Sequence, residues 1–203
     1  MKLVLVRHGR PDEDDHERPH DPPLRADGRA QAQAVAQRLV QEGITRILSS
    51  PLLRATQTAA PLAERLGLAI EPIDGWAEAD RHVSRYRSSE TLRALGGQAW
   101  ERFLADPVGF LGGDPSSFRD EVLQALAATI GDGPRDAHVA VFTHGLPINV
   151  VLSQALGLER IIHFAPGYGS MTRLRALAGG AIGVASVNER NHLPPAPRPA
   201  ASN

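Results

Sequence analysis

Residues 3–9 read Leu3-Val4-Leu5-Val6-Arg7-His8-Gly9, a short apolar run that ends in an arginine, a histidine and a glycine. A second apolar run, residues 139–143, leads into His144 and Gly145. Such runs are typical of strands that are buried on both faces of a parallel sheet. Because ligands of open α/β sheets bind outside the carboxyl ends of the strands, we expect both histidines in one crevice. The adjoining Arg7 favours an anionic ligand, which indicates phosphoryl chemistry on a histidine.

Length and composition indicate one ordinary globular domain. The chain has 203 residues, of which 42% are hydrophobic and 22% charged, enough for a substantial core. A formal net charge of −1 predicts neither a nucleic-acid nor a membrane partner. The absence of cysteine excludes disulfides, thiolate nucleophiles and thiolate metal sites. The opening apolar run is too short for a signal-peptide core, so we expect a cytoplasmic enzyme. We also expect the protein to be a monomer or a homodimer.

Predicted strands and helices alternate along the chain. Strands are predicted over residues 3–6, 44–48, 69–73, 139–143, 170–177 and 181–188, the last two joined by a hairpin turn at 178–180. Helices are predicted from an Asp27 N-cap to Gly43, from a Ser50 cap with Pro51 to Gly67, and over 90–104, 117–130 and 146–156. The pattern predicts a three-layer α/β/α sandwich with a mostly parallel mixed sheet. We expect one domain over residues 1–193 and a mobile Pro/Ala-rich tail over 194–203.

The residues at the predicted strand ends match what phosphoryl transfer onto a side chain requires: a nucleophile, cations and an acid. His8 offers a nitrogen that is largely neutral near pH 7, and Gly9 allows the backbone to approach an anion. Arg54 lies in the first turn of a predicted helix, where the helix dipole also favours an anion. Protonated His144 would be a third cation, and Glu78 is the first candidate for the proton donor.

Together these motifs resemble the histidine phosphatase superfamily, in its phosphoglycerate mutase-like branch. The resemblance runs nearly end to end and rests on the following stretches: Leu3 to Gly9, Asp21-Pro22-Pro23-Leu24 with Gly28 and Gln31-Ala32, Ser49-Ser50-Pro51-Leu52-Leu53-Arg54-Ala55-Thr56-Gln57-Thr58-Ala59, Val141-Phe142-Thr143-His144-Gly145, Tyr168-Gly169-Ser170-Met171-Thr172 and Asn191-His192-Leu193. The stretch around Arg54 is the most specific of them.

The resemblance implies a role for each matching residue. His8 would be the phosphorylated nucleophile, Arg7, Arg54 and His144 the phosphate pocket, and Glu78 the general acid that later activates water. Neither a metal nor another cofactor is implied, and the substrate would be a small phosphorylated metabolite. The function expected is therefore a metal-independent phosphomonoester hydrolase, a histidine acid phosphatase-type enzyme.

Some alternatives stay open. Ala79-Asp80-Arg81-His82 stands where the family pattern has another sequence, so Asp80 is a substitute candidate for the acid. A phosphoglycerate mutase-type phosphotransferase is less expected, because the longer substrate-loop segments of such enzymes are not recognisable. A catalytically inactive phosphate-binding regulatory module is the non-enzymatic alternative.

Several charged and aromatic residues receive weaker interpretations. Residues 10–25 are predicted to be a solvated acidic loop and a candidate lid over the pocket. His16 and His20 in this loop are not expected to bind metal. Arg81, Arg85 and Arg87 follow the acid, and we expect at least one, Arg81 first, to bind a second anionic group of the substrate. His82, His138 and His163 are taken as structural. Trp76 and Trp100 are predicted to lie in the core or between helices.

Overall fold

In the computed structural model, which describes residues 1–177 and 180–194, a six-stranded sheet forms the middle layer. Its strands are β1 (Lys2–Arg7), β2 (Arg46–Ser49), β3 (Ile70–Pro72), β4 (His138–Thr143), β5 (Met171–Ala176) and β6 (Ile182–Glu189). The order across the sheet is β3-β2-β4-β1-β5-β6. The first four strands pair in parallel, whereas β5 and β6 are antiparallel to their neighbours. The predicted mostly parallel mixed sheet is confirmed.

Helices cover both faces of the sheet. They are α1 (Ala26–Leu39), α2 (Leu53–Leu66), α3 (Ser89–Leu95), α4 (Gly97–Ala105), α5 (Pro107–Phe110), α6 (Pro115–Gly131) and α7 (Gly145–Leu156), with a short 3₁₀ turn at Asp74–Trp76. Alternate residues of β1 face opposite layers: Leu3 and Leu5 pack with α6 and α7, and Val4 and Val6 with α1 and α2. This arrangement confirms the three-layer α/β/α sandwich.

The ends of two helices differ from the prediction. The N-cap of α1 is Arg25, and Asp27 lies in its first turn. The second helix, α2, begins at Leu53 rather than at Pro51, and its N-cap residue has no side-chain cap. Instead both carboxylate oxygens of Asp21 accept from the Leu53 N–H at 3.0 Å. A long-range carboxylate therefore replaces the predicted Ser50 cap at Leu53. The Ser50 hydroxyl accepts instead from the Leu52 N–H at 3.2 Å and can still donate its hydrogen to the site.

The segment between β3 and β4 is divided more finely than predicted. The helix predicted over 90–104 is two helices, α3 and α4, because Gly96 and Gly97 both have positive φ angles. The Gly/Pro-rich stretch that follows contains the short helix α5, which the sequence did not predict. Residues of α3 and α4, together with Leu111 directly after α5, line the cavity described below.

The predicted hairpin and tail fall partly beyond the described residues. β5 and β6 pair antiparallel, with Ala176 opposite Ile182, as expected for a hairpin. Residues 178 and 179 of its turn, and residues 195–203 of the predicted tail, lie outside the described part of the chain. Within the described part, no helix is long and apolar enough to cross a membrane.

Candidate active site

The carboxyl ends of β1, β2 and β4 lie at one edge of the sheet and bring the site residues together. The His8 N–H donates to the Thr143 carbonyl at 2.9 Å, and the Ser50 N–H donates to the Phe142 carbonyl at 2.8 Å. The ring centroids of His8 and His144 are 4.9 Å apart. The structure thus brings the two histidines together at this edge of the sheet.

The surroundings of His8 leave one ring nitrogen ready to act as a nucleophile. Its Nδ1 lies 2.7 Å from the Gly9 carbonyl, so Nδ1–H donates there and Nε2 keeps its lone pair. Burial, followed by the nearby Arg54 and Arg7 charges, holds the pKa of His8 well below its usual 6.5. The imidazole is therefore neutral at physiological pH.

The sequence predicts that Gly9 contacts the anion, whereas in the structure Gly9 helps to hold the His8 ring in place. Its N–H donates to the Thr58 hydroxyl at 2.9 Å, so that donor is already used. A Cβ at Gly9 would lie 2.5 Å from the Gly28 carbonyl oxygen, which explains why a glycine follows the histidine. Gly9 is not among the described residues that line the cavity.

His144 is neutral in the free site rather than the third cation that the sequence suggested. Burial, together with Arg54, His8 and Arg7, lowers its pKa well below 6.5. Its Nε2 lies 2.7 Å from the Ser50 hydroxyl, and its buried Nδ1 has no hydrogen-bond partner in the described structure. If the Ser50 hydroxyl donates to Nε2, then Nδ1 carries the hydrogen and can donate to an anion.

Each of the two site arginines is paired with a carboxylate. Arg54 is fully buried, and its Nη2 donates to the two Asp80 oxygens at 2.7 and 3.0 Å. Arg7 donates to the two Glu90 oxygens at 2.5 and 3.0 Å and to the Pro166 carbonyl at 2.6 Å. Both guanidinium groups also lie over tyrosine rings, Arg7 over Tyr168 and Arg54 over Tyr86.

Several buried donors at this point have no hydrogen-bond partner among the described residues. They are the Nε of Arg7, the Nε and Nη1 of Arg54, and the Nδ1 of His144. Unpaired buried donors are costly, since each loses its hydrogen bond to water. A tetrahedral anion with several acceptor oxygens would satisfy them, and phosphate has that form.

The environments of Glu78 and Asp80 separate the two candidates for the acid. Burial, followed by the Asp80 charge, raises the pKa of Glu78 from 4.5 to about 7. The Glu78 carboxyl lines the same cavity as His8 and accepts from the Leu146 N–H at 3.2 Å. Asp80 is held by Arg54 with a side chain only 5% exposed. A carboxyl with a pKa of about 7 is partly protonated near neutral pH.

The site opens into a cavity of about 140 Å³ that extends away from the two histidines. Arg87 and Arg93 lie along it as exposed residues. Arg81 does not line it and instead donates to Glu121 on α6 at 2.5 Å. Of the three arginines proposed to reach the substrate, the structure therefore brings Arg87, not Arg81, to the cavity.

The loop over residues 10–25 contacts the segment beside the cavity. Glu13 accepts from the Thr91 hydroxyl at 3.0 Å, and the Pro19 carbonyl accepts from the Tyr86 N–H at 2.6 Å. His16 and His20 of this loop are exposed. Across residues 1–177 and 180–194, no three histidine, aspartate or glutamate side chains form a group that could hold a metal ion.

Sequence reasoning missed several residues that shape the site. The sequence predicts Ser50 as a helix cap, Glu90 as a helix residue and Trp100 as a residue of the core or between helices. In the structure Trp100 is half-buried and lines the cavity. Trp76 is fully buried, as predicted. Glu90 reaches Arg7 from 83 residues away, and no local pattern signals such a contact.

Comparison with known proteins shows the family. The model of the histidine phosphatase superfamily (branch 1) matches residues 3–189, and the chain belongs to this superfamily. A probable phosphoglycerate mutase, GpmB, from Proteus mirabilis is 32% identical over 165 residues, which are 78% of this chain and 76% of that protein.

Solved structures share the fold over almost the whole chain. A phosphoserine phosphatase from Entamoeba histolytica, in complex with 3-phosphoglyceric acid, has a TM-score of 0.74 and 26% identity, covering 95% of this chain and 98% of that one. YhfR from Bacillus stearothermophilus has a TM-score of 0.76 and 20% identity, covering 95% and 99%. Of these relatives, one is named a phosphatase and one a probable mutase, which supports an enzyme.

Proposed function

We propose that this protein is a metal-independent phosphomonoester hydrolase that acts through a phosphohistidine on His8. The observation that carries the proposal is the neutral His8 ring, whose Nδ1 is held by the Gly9 carbonyl and whose Nε2 is left as a nucleophile. Around it lie the unpaired donors of Arg7, Arg54 and His144. The partner is a small phosphorylated metabolite.

In the first step, the Nε2 lone pair of His8 attacks phosphorus in line with the ester bond. The P–O bond breaks with its electron pair on the leaving oxygen, which takes the proton of Glu78. Glu78 holds that proton near neutral pH because burial raises its pKa to about 7. The products of this step are the free alcohol, phosphohistidine and an ionised Glu78.

In the second step, the Glu78 carboxylate accepts a proton from a water molecule. The water oxygen attacks phosphorus, and the P–N bond breaks with its electron pair returned to Nε2 of His8. Inorganic phosphate leaves, and Glu78 and His8 return to their initial protonation states. Throughout, Arg7, Arg54 and His144 donate hydrogen bonds to the equatorial oxygens, where negative charge is concentrated.

A phosphoglycerate mutase-type phosphotransferase is the second candidate, because a relative with 32% identity is named a probable phosphoglycerate mutase. Such an enzyme would return the phosphoryl group to an acceptor alcohol rather than to water. The phosphoenzyme would then have to resist hydrolysis until the acceptor arrives.

The test is release of p-nitrophenol from p-nitrophenyl phosphate at pH 5 to 8, in the presence of a chelator. We expect turnover that disappears in His8→Ala and persists in the control His16→Ala, which replaces an exposed loop histidine. We expect Arg54→Ala and His144→Ala to lower turnover by roughly 10²-fold or more, since each removes a donor to the transferred group.

A trapping experiment separates hydrolysis from transfer. Rapid quenching in alkali should capture acid-labile phosphate on the wild-type chain and none on His8→Ala. Breakdown of this phosphoenzyme in water at the rate of turnover supports the hydrolase, whereas a long-lived phosphoenzyme that an added alcohol discharges supports the mutase. Binding of phosphate without turnover of any ester would support a regulatory module.

A further inference from the structure

Beyond the phosphate pocket, the cavity is bounded by apolar side chains. We call this surface the apolar wall; its members are Trp100, Phe103, Leu111, Leu146, Ile162 and Phe164. Phe103 and Leu146 are buried, and the other four are half-buried. Trp100 and Phe103 stack with ring centroids 5.5 Å apart, which fixes the aromatic part of the surface.

The apolar wall begins where the alcohol of a bound ester must lie. In the proposed reaction Glu78 protonates the leaving oxygen, so the alcohol adjoins the Glu78 carboxyl. That carboxyl accepts from the backbone N–H of Leu146, a member of the apolar wall. At the other end, the Pro166 carbonyl accepts from Arg7, only two residues after Phe164. The apolar wall is thus joined to the phosphate pocket at two points.

Two polar side chains beside the apolar wall, Asn149 and Ser88, are already engaged, whereas Arg87 and Arg93 line the cavity as exposed residues. The Asn149 amide donates to the Gly145 and Phe164 carbonyls and accepts from the Phe164 N–H. The Ser88 hydroxyl bonds to the Thr91 hydroxyl and accepts from the Thr91 N–H. A polar alcohol would therefore lose its hydrogen bonds to water here without regaining them from these two side chains.

The neighbouring segment is also held in place, so the apolar wall is formed before a substrate binds. Asn149 links α7 to residues 163 and 164 through three hydrogen bonds of 2.9 to 3.1 Å. Preorganisation of this kind lowers the entropic cost of binding an apolar group.

We propose that the preferred substrates are phosphomonoesters of apolar alcohols, with an alkyl chain of several carbons or an aromatic ring seated against the apolar wall. This inference rests on the proposed phosphatase function and names its substrate class. Small polar esters, of the kind represented by 3-phosphoglyceric acid, would leave the apolar wall without a partner.

The test is kcat/KM for a series of n-alkyl phosphates from ethyl to hexyl. The acidity of the leaving alcohol changes little along the series, so the comparison isolates contact with the apolar wall. A fully buried methylene is worth about fourfold in binding, and we expect roughly twofold to fourfold for each added carbon. Glycerol 3-phosphate is the polar match for propyl phosphate, and we expect it to be the poorer substrate of the two.

Two variants on α4 test whether the dependence of kcat/KM on chain length arises from the apolar wall. Trp100→Ala should lower the ratio of hexyl to ethyl phosphate kcat/KM by about tenfold, since it removes an aromatic face from the apolar wall. Leu104→Ala is the matched control, because Leu104 lies on the same helix, is 43% exposed and does not line the cavity. If Trp100→Ala does not fold, Ile162→Ala on the opposite side serves the same purpose, with a smaller expected drop.

The outcomes distinguish this inference from the function on which it rests. A flat series, or a preference for glycerol 3-phosphate, with turnover that still depends on His8 would overturn the inference alone. The same holds if Trp100→Ala or Ile162→Ala folds but leaves the hexyl to ethyl ratio unchanged. Failure of every ester to show turnover that depends on His8 would overturn both the inference and the proposed function.

Discussion

The raised pKa of Glu78 makes a quantitative prediction for the pH dependence of catalysis. With a pKa of about 7, the protonated fraction of Glu78 falls from roughly three quarters at pH 6.5 to roughly 3% at pH 8.5. If the leaving alcohol needs that proton, kcat/KM for propyl phosphate should fall about 20-fold over the same interval, because the ester dianion, with a pKa of about 6, becomes slightly more abundant as the protonated form of Glu78 is lost. His8 adds no change there, because its pKa lies well below 6.5 and it stays neutral.

The assay is kcat/KM at half-unit pH steps between 5 and 9 for the wild type and two variants. The wild type should show a rising limb near pH 6 from the second ionisation of the ester and a falling limb near pH 7. Glu78→Gln should be slower overall and lose the falling limb. Asp80→Asn should move that limb to lower pH, because removing a neighbouring negative charge lowers the pKa of Glu78.

Two controls define the result that would refute this reasoning. With p-nitrophenyl phosphate, whose leaving group departs without a proton, the falling limb should be weak in all three proteins. A full falling limb that persists in Glu78→Gln with propyl phosphate would show that Glu78 is not the acid. If the limb then vanished in Asp80→Asn, the acid would be Asp80.

Three further predictions concern stability, phosphate affinity and the mouth of the cavity. The pKa of Glu78 is raised on folding from 4.5 to about 7, so the fold loses stability as pH rises through this interval. Glu78→Gln should therefore be more stabilising at pH 8 than at pH 4, by about 3 kcal/mol in denaturant unfolding, and equal effects would contradict it. Glu90→Gln should lower the inhibition constant of inorganic phosphate roughly twofold to fivefold, because a partly exposed carboxylate no longer competes for Arg7; weaker inhibition would show that Glu90 instead positions Arg7. For an alkyl phosphate that ends in a carboxylate, Arg87→Ala should raise KM severalfold while Arg81→Ala leaves it unchanged, and the reverse would return the anion contact to Arg81.

The central strands and the two histidines could be predicted because the signals for them are local. An apolar run followed by His-Gly marks both β1 and β4, and parallel strands end at the same edge of a sheet. The start of α2 could not be predicted, since Asp21, 32 residues before Leu53, supplies its cap. Glu78 and Asp80 could not be separated for a related reason: burial and the Arg54 partner distinguish them, and both depend on tertiary structure.

The carboxylates paired with the two arginines differ in a way that bears on how phosphate enters. Asp80 has a side chain only 5% exposed and holds Nη2 of Arg54. The Nε of Arg54 has no hydrogen-bond partner in the described structure, and its Nη1 has only an ion pair with Asp21 at 3.5 Å, so both nitrogens can donate to the phosphate. Glu90, with a side chain 46% exposed, holds the terminal nitrogens of Arg7 and can turn towards water when a dianion takes its place. Binding of a dianion should therefore displace Glu90 and leave Asp80 in place. Asp80 also serves a second purpose in this position. Its charge helps to raise the pKa of Glu78, so that Glu78 keeps the proton that the leaving oxygen needs.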